Sequence, residues 1–157
     1  ETETGAYAVY DDNESNADTF GYLYNWYAVD DSRGVCPDDW HVPSDGEWTV
    51  LEDFITNDGY AGIEGNALKE IGYEHWNDDG NPDHEGLDIY GFTGLPGGYR
   101  NYLSGNYGSM GDYGYFWSST EGSNDFAWGR VLGYDYSGIS QGYSFKRYGF
   151  SVRCIKD

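Results

Sequence analysis

The last third of the chain, residues 99–157, is written mostly in Tyr, Gly, Ser and Asn, and that narrow alphabet limits what it can fold into. Aromatic side chains pack well on pleated surfaces, while Gly and Asn supply the positive φ of tight bends, so the segment predicts short twisted strands joined by turns. The same residues also make adaptable binding surfaces, where Tyr and Trp give rigid contact area and Ser, Gly and Asn give hydrogen bonds. Strands are expected at 92–95, 115–118, 126–132, 140–143 and 148–155, with turns at 106–108, 122–125 and 135–138.

Upstream the pattern changes. Ser44-Asp45-Gly46-Glu47 fits a capping box behind Pro43, and Trp48, Leu51, Phe54 and Ile55 follow at spacings of three and four before Asn57-Asp58-Gly59. An amphipathic helix is therefore expected over 45–57. A shorter one is expected over 63–71, where Ala67, Leu68 and Ile71 share a face, with Gly62 and Gly65 opposing it. Residues 21–29 read as an extended aromatic segment, and Tyr7-Ala8-Val9-Tyr10 as one short edge strand in an otherwise polar, acidic extension over 1–19. Strand, helices, long loop and then a string of strands give an α+β class, two helices packed on a twisted, mainly antiparallel sheet, with the domain running over 20–157. A chain of 157 residues suits a single core.

Eight Lys and Arg against 28 Asp and Glu give a formal charge of -20, which repels nucleic acid and anionic membrane and favours solubility or divalent cations as partners. No apolar run approaches the roughly 18 residues of a membrane span, so no membrane insertion is expected, and Glu1-Thr2-Glu3-Thr4 reads as a mature or trimmed end. Cys36 and Cys154 have no His or Cys at metal-ligand spacing. A structural disulfide is preferred over two buried thiols. It would close a loop of over a hundred residues, stabilise by about 4–5 kcal/mol in the chain-entropy model, and imply an oxidising compartment.

Five linked motifs carry a resemblance: Gly21-Tyr22-Leu23-Tyr24-Asn25-Trp26-Tyr27-Ala28-Val29, Cys36-Pro37-Asp38-Asp39-Trp40-His41-Val42-Pro43-Ser44-Asp45-Gly46-Glu47-Trp48, Leu95-Pro96-Gly97-Gly98-Tyr99-Arg100, Phe116-Trp117-Ser118-Ser119-Thr120 and Gly149-Phe150-Ser151-Val152-Arg153-Cys154. In this order they resemble the Fibrobacter succinogenes major paralogous domain. The resemblance implies a C-type-lectin-like fold, of the variant shared with formylglycine-generating enzymes and retroelement variable proteins. It also implies a secreted or surface-displayed bacterial protein, this chain being part of a larger exported one, and a Cys36–Cys154 bridge from helix to final strand. It implies no defined activity.

Three constellations are candidate sites. Asn77, Asp79, Asn81 and Asp83 alternate like oxygen ligands of a Ca²⁺ loop, though Pro82 stands where an EF-hand needs Gly, and a solvated acidic loop is the competing reading. His41, His75 and His84 stand near no nucleophile motif, and no catalytic role is expected; a formylglycine-type enzyme is the weakest alternative. The third constellation is a Tyr/Trp face over 99–113 and 121–146: Tyr99, Tyr102, Tyr107, Tyr113, Trp128, Arg130, Tyr134, Tyr136 and Tyr143. In retroelement variable proteins, the positions between the Trp-Ser-Ser element and the closing segment display the binding residues, which here implies the window 121–146. Trp117 and Phe150 are expected in the core, and Arg100 and Arg153 on loop carbonyls or a carboxylate. The expected function is non-catalytic recognition of a glycan or protein ligand, the competing class being a purely structural module whose aromatics are all core.

Overall fold

The structure is a computed structural model that describes residues 3–157; residues 1 and 2 of the expected N-terminal extension lie outside the described residues. The chain order is β1 (Tyr7–Ala8), α1 (Ser15–Phe20), β2 (Leu23–Tyr24), α2 (Trp26–Val29), β3 (Trp40–His41), α3 (Asp45–Ile55), α4 (Glu64–Leu68), β4 (Gly97–Arg100), β5 (Tyr107–Met110), β6 (Tyr113–Glu121), β7 (Phe126–Gly133), β8 (Ser140–Phe145) and β9 (Ile155–Lys156). Five strands form one sheet in the order β5-β4-β6-β7-β8, antiparallel at every junction except the parallel β4–β6 pair. β1 pairs with β2 and β3 with β9, each as a two-stranded ribbon. The class is α+β, as expected.

Alternation along β6 splits the core in two. Phe116 points into a cluster with Trp48, Ile55, Ala67, Leu68, Trp76 and Leu132 beneath α3 and α4. Its neighbour Trp117 points the other way, onto Trp26, Ala127 and Phe150. Each indole N–H on this second side finds a carbonyl: Trp26 donates to Ser118 at 2.9 Å and Trp117 to Tyr24 at 2.7 Å. The Trp-Ser-Ser-Thr motif then becomes a clamp, because Ser119 N–H donates to the Pro43 carbonyl and the Thr120 hydroxyl accepts from Asp45 N–H at the start of α3.

Local signals were read correctly where they were strong. Ser44 and Glu47 form both halves of the capping box on α3. Elsewhere the expectations need correction. The aromatic run over 21–29 is a two-residue strand followed by the helix α2, whose N-cap is Asn25. The expected strand over 92–95 is not one; β4 lies just after it, and the expected turn at 106–108 falls in β5. Residues 148–155 join the molecule by isolated bridges to Tyr24, Arg100 and Phe116 before the short β9. Phe54 and Ile71 lie outside the core, Phe54 resting its ring on Tyr90. Gly65, which weighed against a helix, is required there: a Cβ at this position would sit 2.0 Å from the Gly138 carbonyl oxygen.

The expected bridge is formed: Cys36 and Cys154 are disulfide-bonded with Cα atoms 5.9 Å apart. Among the described residues no helix is long and apolar enough to cross a membrane.

Candidate binding surface

Two cross-strand pairs, Phe126 with Phe145 and Trp128 with Tyr143, put four aromatic side chains on the outer rungs of β7 and β8. Phe126 and Phe145 lie 4.2 Å apart by ring centroid, and Tyr143 meets Phe126 and Trp128 edge-on at 5.5 and 5.3 Å. Tyr102, in the loop after β4, reaches Phe145 at 5.3 Å and Tyr148 at 5.2 Å. From Tyr148 the chain of rings continues through Phe150 to Tyr115, and Tyr99 stands across both tyrosines. Phe150 stacks on its neighbours, but the other tyrosine contacts of this chain are mostly edge-to-face, the arrangement the ring quadrupole favours. The surface is corrugated rather than flat. Tyr143 is 61% exposed and Phe145 39%, with Leu103 beside Tyr102 at 79%.

Tyr99, Tyr115, Ser144, Tyr148 and Phe150 line an open cup of about 280 Å³. Burial pushes the Tyr115 hydroxyl above its ordinary value, so it stays a protonated donor across the physiological range.

The two edges of the sheet differ. At β5 the N-terminal segment covers the edge: the Tyr10 ring packs 5.2 Å from Tyr107, whose hydroxyl donates to Asp12 at 2.5 Å. Among the described residues no strand pairs with the outer edge of β8, and every residue of Ser140–Phe145 except Ser144 is exposed. Natural edge strands are ordinarily blunted by charge, Pro or a bulge. Ser-Gln-Gly-Tyr-Ser-Phe carries no charge and no Pro, and its pairing to β7 runs without a bulge. Carboxylates bracket it, with Asp45 accepting from Gln141 at 3.0 Å and Glu121 accepting from Lys146 just beyond Phe145.

The family model described as the Fibrobacter succinogenes major domain matches residues 1–156. The chain belongs to this family. No curated protein and no solved structure matches it. The match includes the first 19 residues, and the structure packs the described part of them onto the rest through the β1–β2 pair and the Tyr10–Tyr107 contact.

In this Fibrobacter succinogenes major domain the eight aromatic residues expected to form one face fall into three places. Tyr99, Tyr102, Trp128 and Tyr143 belong to the chain of rings beside β8. Tyr107 is engaged at the opposite edge. Tyr113, Tyr134 and Tyr136 gather at the turn between β7 and β8: Tyr113 donates to Asp135 at 3.2 Å, and Tyr136 donates to the Val131 carbonyl at 2.5 Å. Burial, reinforced by Asp135, pushes Tyr113 up to about 12. Arg130 requires correction. It is 1% exposed, and its guanidinium spans Asp45 at 2.5 Å and Glu52, tying β7 to α3 beneath the sheet. A buried cation between two carboxylates is an internal strut. Sequence reasoning passed over Tyr115, Phe126, Phe145 and Tyr148; the period-two pattern that pairs 126 with 145 across strands was their available signal.

The four expected calcium ligands each take partners within the chain. Asp79 accepts from Asn81 N–H and pairs with His84, Asn81 caps Asp83, and Asn77 donates to Asp112. Among the described residues, Glu70, Glu74 and His75 bring their ligand atoms within 4.8 Å of one another, and His75 already pairs with Glu70 at 2.9 Å. Arg153 lies over the Phe92 ring and donates to the Phe92 carbonyl, the role expected of it, while Arg100 packs on Tyr107.

Proposed function

We propose that this domain is a non-catalytic recognition module of a secreted or surface-displayed bacterial protein, and that its ligand is an extended, basic segment of a partner protein laid along β8. The observation that carries this reading is the uncharged, uncovered β8 edge beside exposed Tyr143 and Phe145. A peptide that adds a strand gains main-chain hydrogen bonds from the edge and specificity from pockets for alternate side chains. A chain of charge -20 favours a cationic partner in orientation and on-rate. The disulfide supports the exported setting, and the Cys36-to-Cys154 connection before α3 supports a C-type-lectin-like relationship for the fold.

The cup of Tyr99, Tyr115, Tyr148 and Ser144 supports a second reading, a single sugar ring held by tyrosine hydroxyls. A displayed library of random linear peptides, panned on the folded protein, separates the two. The reading expects enriched sequences with alternating apolar residues and flanking Lys or Arg, slowed amide exchange over 140–145, and at least tenfold weaker binding to Tyr143→Ala and Phe145→Ala. Failure to enrich any peptide, together with glycan binding that Tyr99→Ala removes, would replace it with the sugar-binding reading.

A further inference from the structure

A second aromatic cluster lies outside the candidate surface beside β8. β1 and β2 pair Tyr7 with Tyr24, and Tyr22 sits at the entrance to β2, so three tyrosines converge on the N-terminal ribbon. Tyr7 meets Tyr22 edge-on at 5.2 Å and Tyr24 at 6.0 Å, and Tyr22 meets Tyr24 at 6.3 Å. Tyr7 is 68% exposed and contributes nothing to either core cluster. With Tyr22 39% exposed beside it, Tyr7 makes a small contiguous aromatic patch at the surface.

Beside these rings is an open cavity of about 360 Å³, lined by Gly5, Ala6, Ala28, Tyr7 and Tyr24 together with Asp31 and Arg33. Small residues make its floor. Gly5 lies so close to α2 that a Cβ there would meet the Ala28 Cα at 3.0 Å. Its polar wall is one ion pair: the Arg33 Nε and Nη2 donate to the two oxygens of Asp31 at 2.9 and 2.6 Å, and the Arg33 amide donates to the same carboxylate. The Arg33 side chain is otherwise out in solvent. Two of about five guanidinium N–H groups are used on Asp31, and a carboxylate offers about four lone-pair sites, of which three are taken. Donors and an acceptor therefore remain side by side, with no net charge between them.

We propose that this cavity is a carbohydrate site, distinct from β8, for an uncharged pyranoside that carries vicinal hydroxyl groups. The chemistry follows from the two walls. A pyranose presents an apolar C–H face to an aromatic ring and a rim of hydroxyls at its edge. One hydroxyl donates to Asp31 while its neighbour accepts from Arg33, which the paired geometry of guanidinium and carboxylate matches without a charge on the ligand. An anionic sugar would meet a carboxylate whose partner is already committed, on a chain of charge -20. A cavity of this size holds one or two rings.

The test is a titration of the whole protein, observed by two-dimensional NMR, with a panel of uncharged methyl glycosides and short oligosaccharides of glucose, mannose, galactose and N-acetylglucosamine, and with glucuronate as the charged control. A saturable response is expected from at least one neutral sugar, with shift changes confined to residues 5–7, 22–24, 28 and 31–35. Tyr7→Ala and Arg33→Ala, both at exposed side chains, should each weaken it at least tenfold, and Tyr143→Ala should leave it unchanged. No saturable binding by any sugar of the panel would overturn the proposal. So would binding that survives both variants, or that maps to the Tyr99 cup, or a preference for glucuronate.

Discussion

Lys69 shows how a single residue carries structure that composition conceals. Its side chain is 1% exposed, and its ammonium donates to the carbonyls of His84, Gly133 and Tyr136 at 2.6, 3.0 and 3.3 Å, three acceptors for three N–H groups. It thereby pins the acidic loop and the β7–β8 turn to α4. Lys69→Met leaves those carbonyls without their donor and is expected to cost about 3 kcal/mol or more, read from urea unfolding. Burial pulls the Lys69 ammonium down to about 8. Because the folded value lies below the unfolded one, the unfolded chain binds more protons between about pH 8 and 10, and stability should rise with pH across that window. The rise should be absent in Lys69→Met. His41 moves the other way. Hydrogen bonding to Asp157 first and Glu47 second raises it, so its stabilisation is complete below its ordinary value near 6.5 and is lost as pH climbs through the raised folded value. An NMR titration should place His41 above 6.5 and return it toward that value in Asp157→Asn; an unshifted variant would mean that Glu47 alone holds the ring.

At the scale of elements, two glycines make opposite predictions. Gly65 in α4 faces the Gly138 carbonyl at a distance no Cβ tolerates, so Gly65→Ala should destabilise by about 2–3 kcal/mol as the turn before β8 is forced outward. Gly46 in the first turn of α3 meets nothing nearer than the Ser44 hydroxyl at 3.9 Å, and Gly46→Ala should stabilise by about 0.5–1 kcal/mol. Paired urea midpoints check both. The contrast explains what was legible in the sequence. α3 was readable because its capping box and its Trp48, Leu51 and Ile55 stripe are local signals within one element. α2 was not, since four residues are too few for a helical period and Trp-Tyr-Ala-Val has the composition of a strand. The candidate surface was half legible. Tyr99, Tyr102, Trp128 and Tyr143 could be named from composition, but Arg130 and Tyr143 share one face of adjacent strands and meet different fates, one under α3 and one beyond its end. Only the helix's position decides that. Tyr7 was legible as part of an edge strand and Tyr22 as part of an aromatic run, but no local signal shows that the two rings meet over Tyr24.

For the whole molecule, the disulfide and the charge act against each other. The Cys36–Cys154 bond spans 118 residues, enclosing α3, α4 and the entire five-stranded sheet, and cross-linking so long a loop removes unfolded-state entropy worth about 4–5 kcal/mol. A formal charge of -20 favours expansion at the same time. The double variant Cys36→Ala/Cys154→Ala should therefore lose about 4 kcal/mol, and more in about 0.01 M salt than in about 0.15 M, because the Debye length contracts from about 30 to 8 Å over that range. Residues 3–35 lie outside the covalent loop and are held by the β1–β2 pair, the Tyr24–Phe150 bridge and the Tyr10–Tyr107 contact. Amide exchange of β5 and of Tyr24 should accelerate no more than that of the rest of the variant, since their cover was never covalent. A selective loss of protection there would show that the bond, rather than these contacts, keeps the N-terminal segment seated and the β5 edge closed.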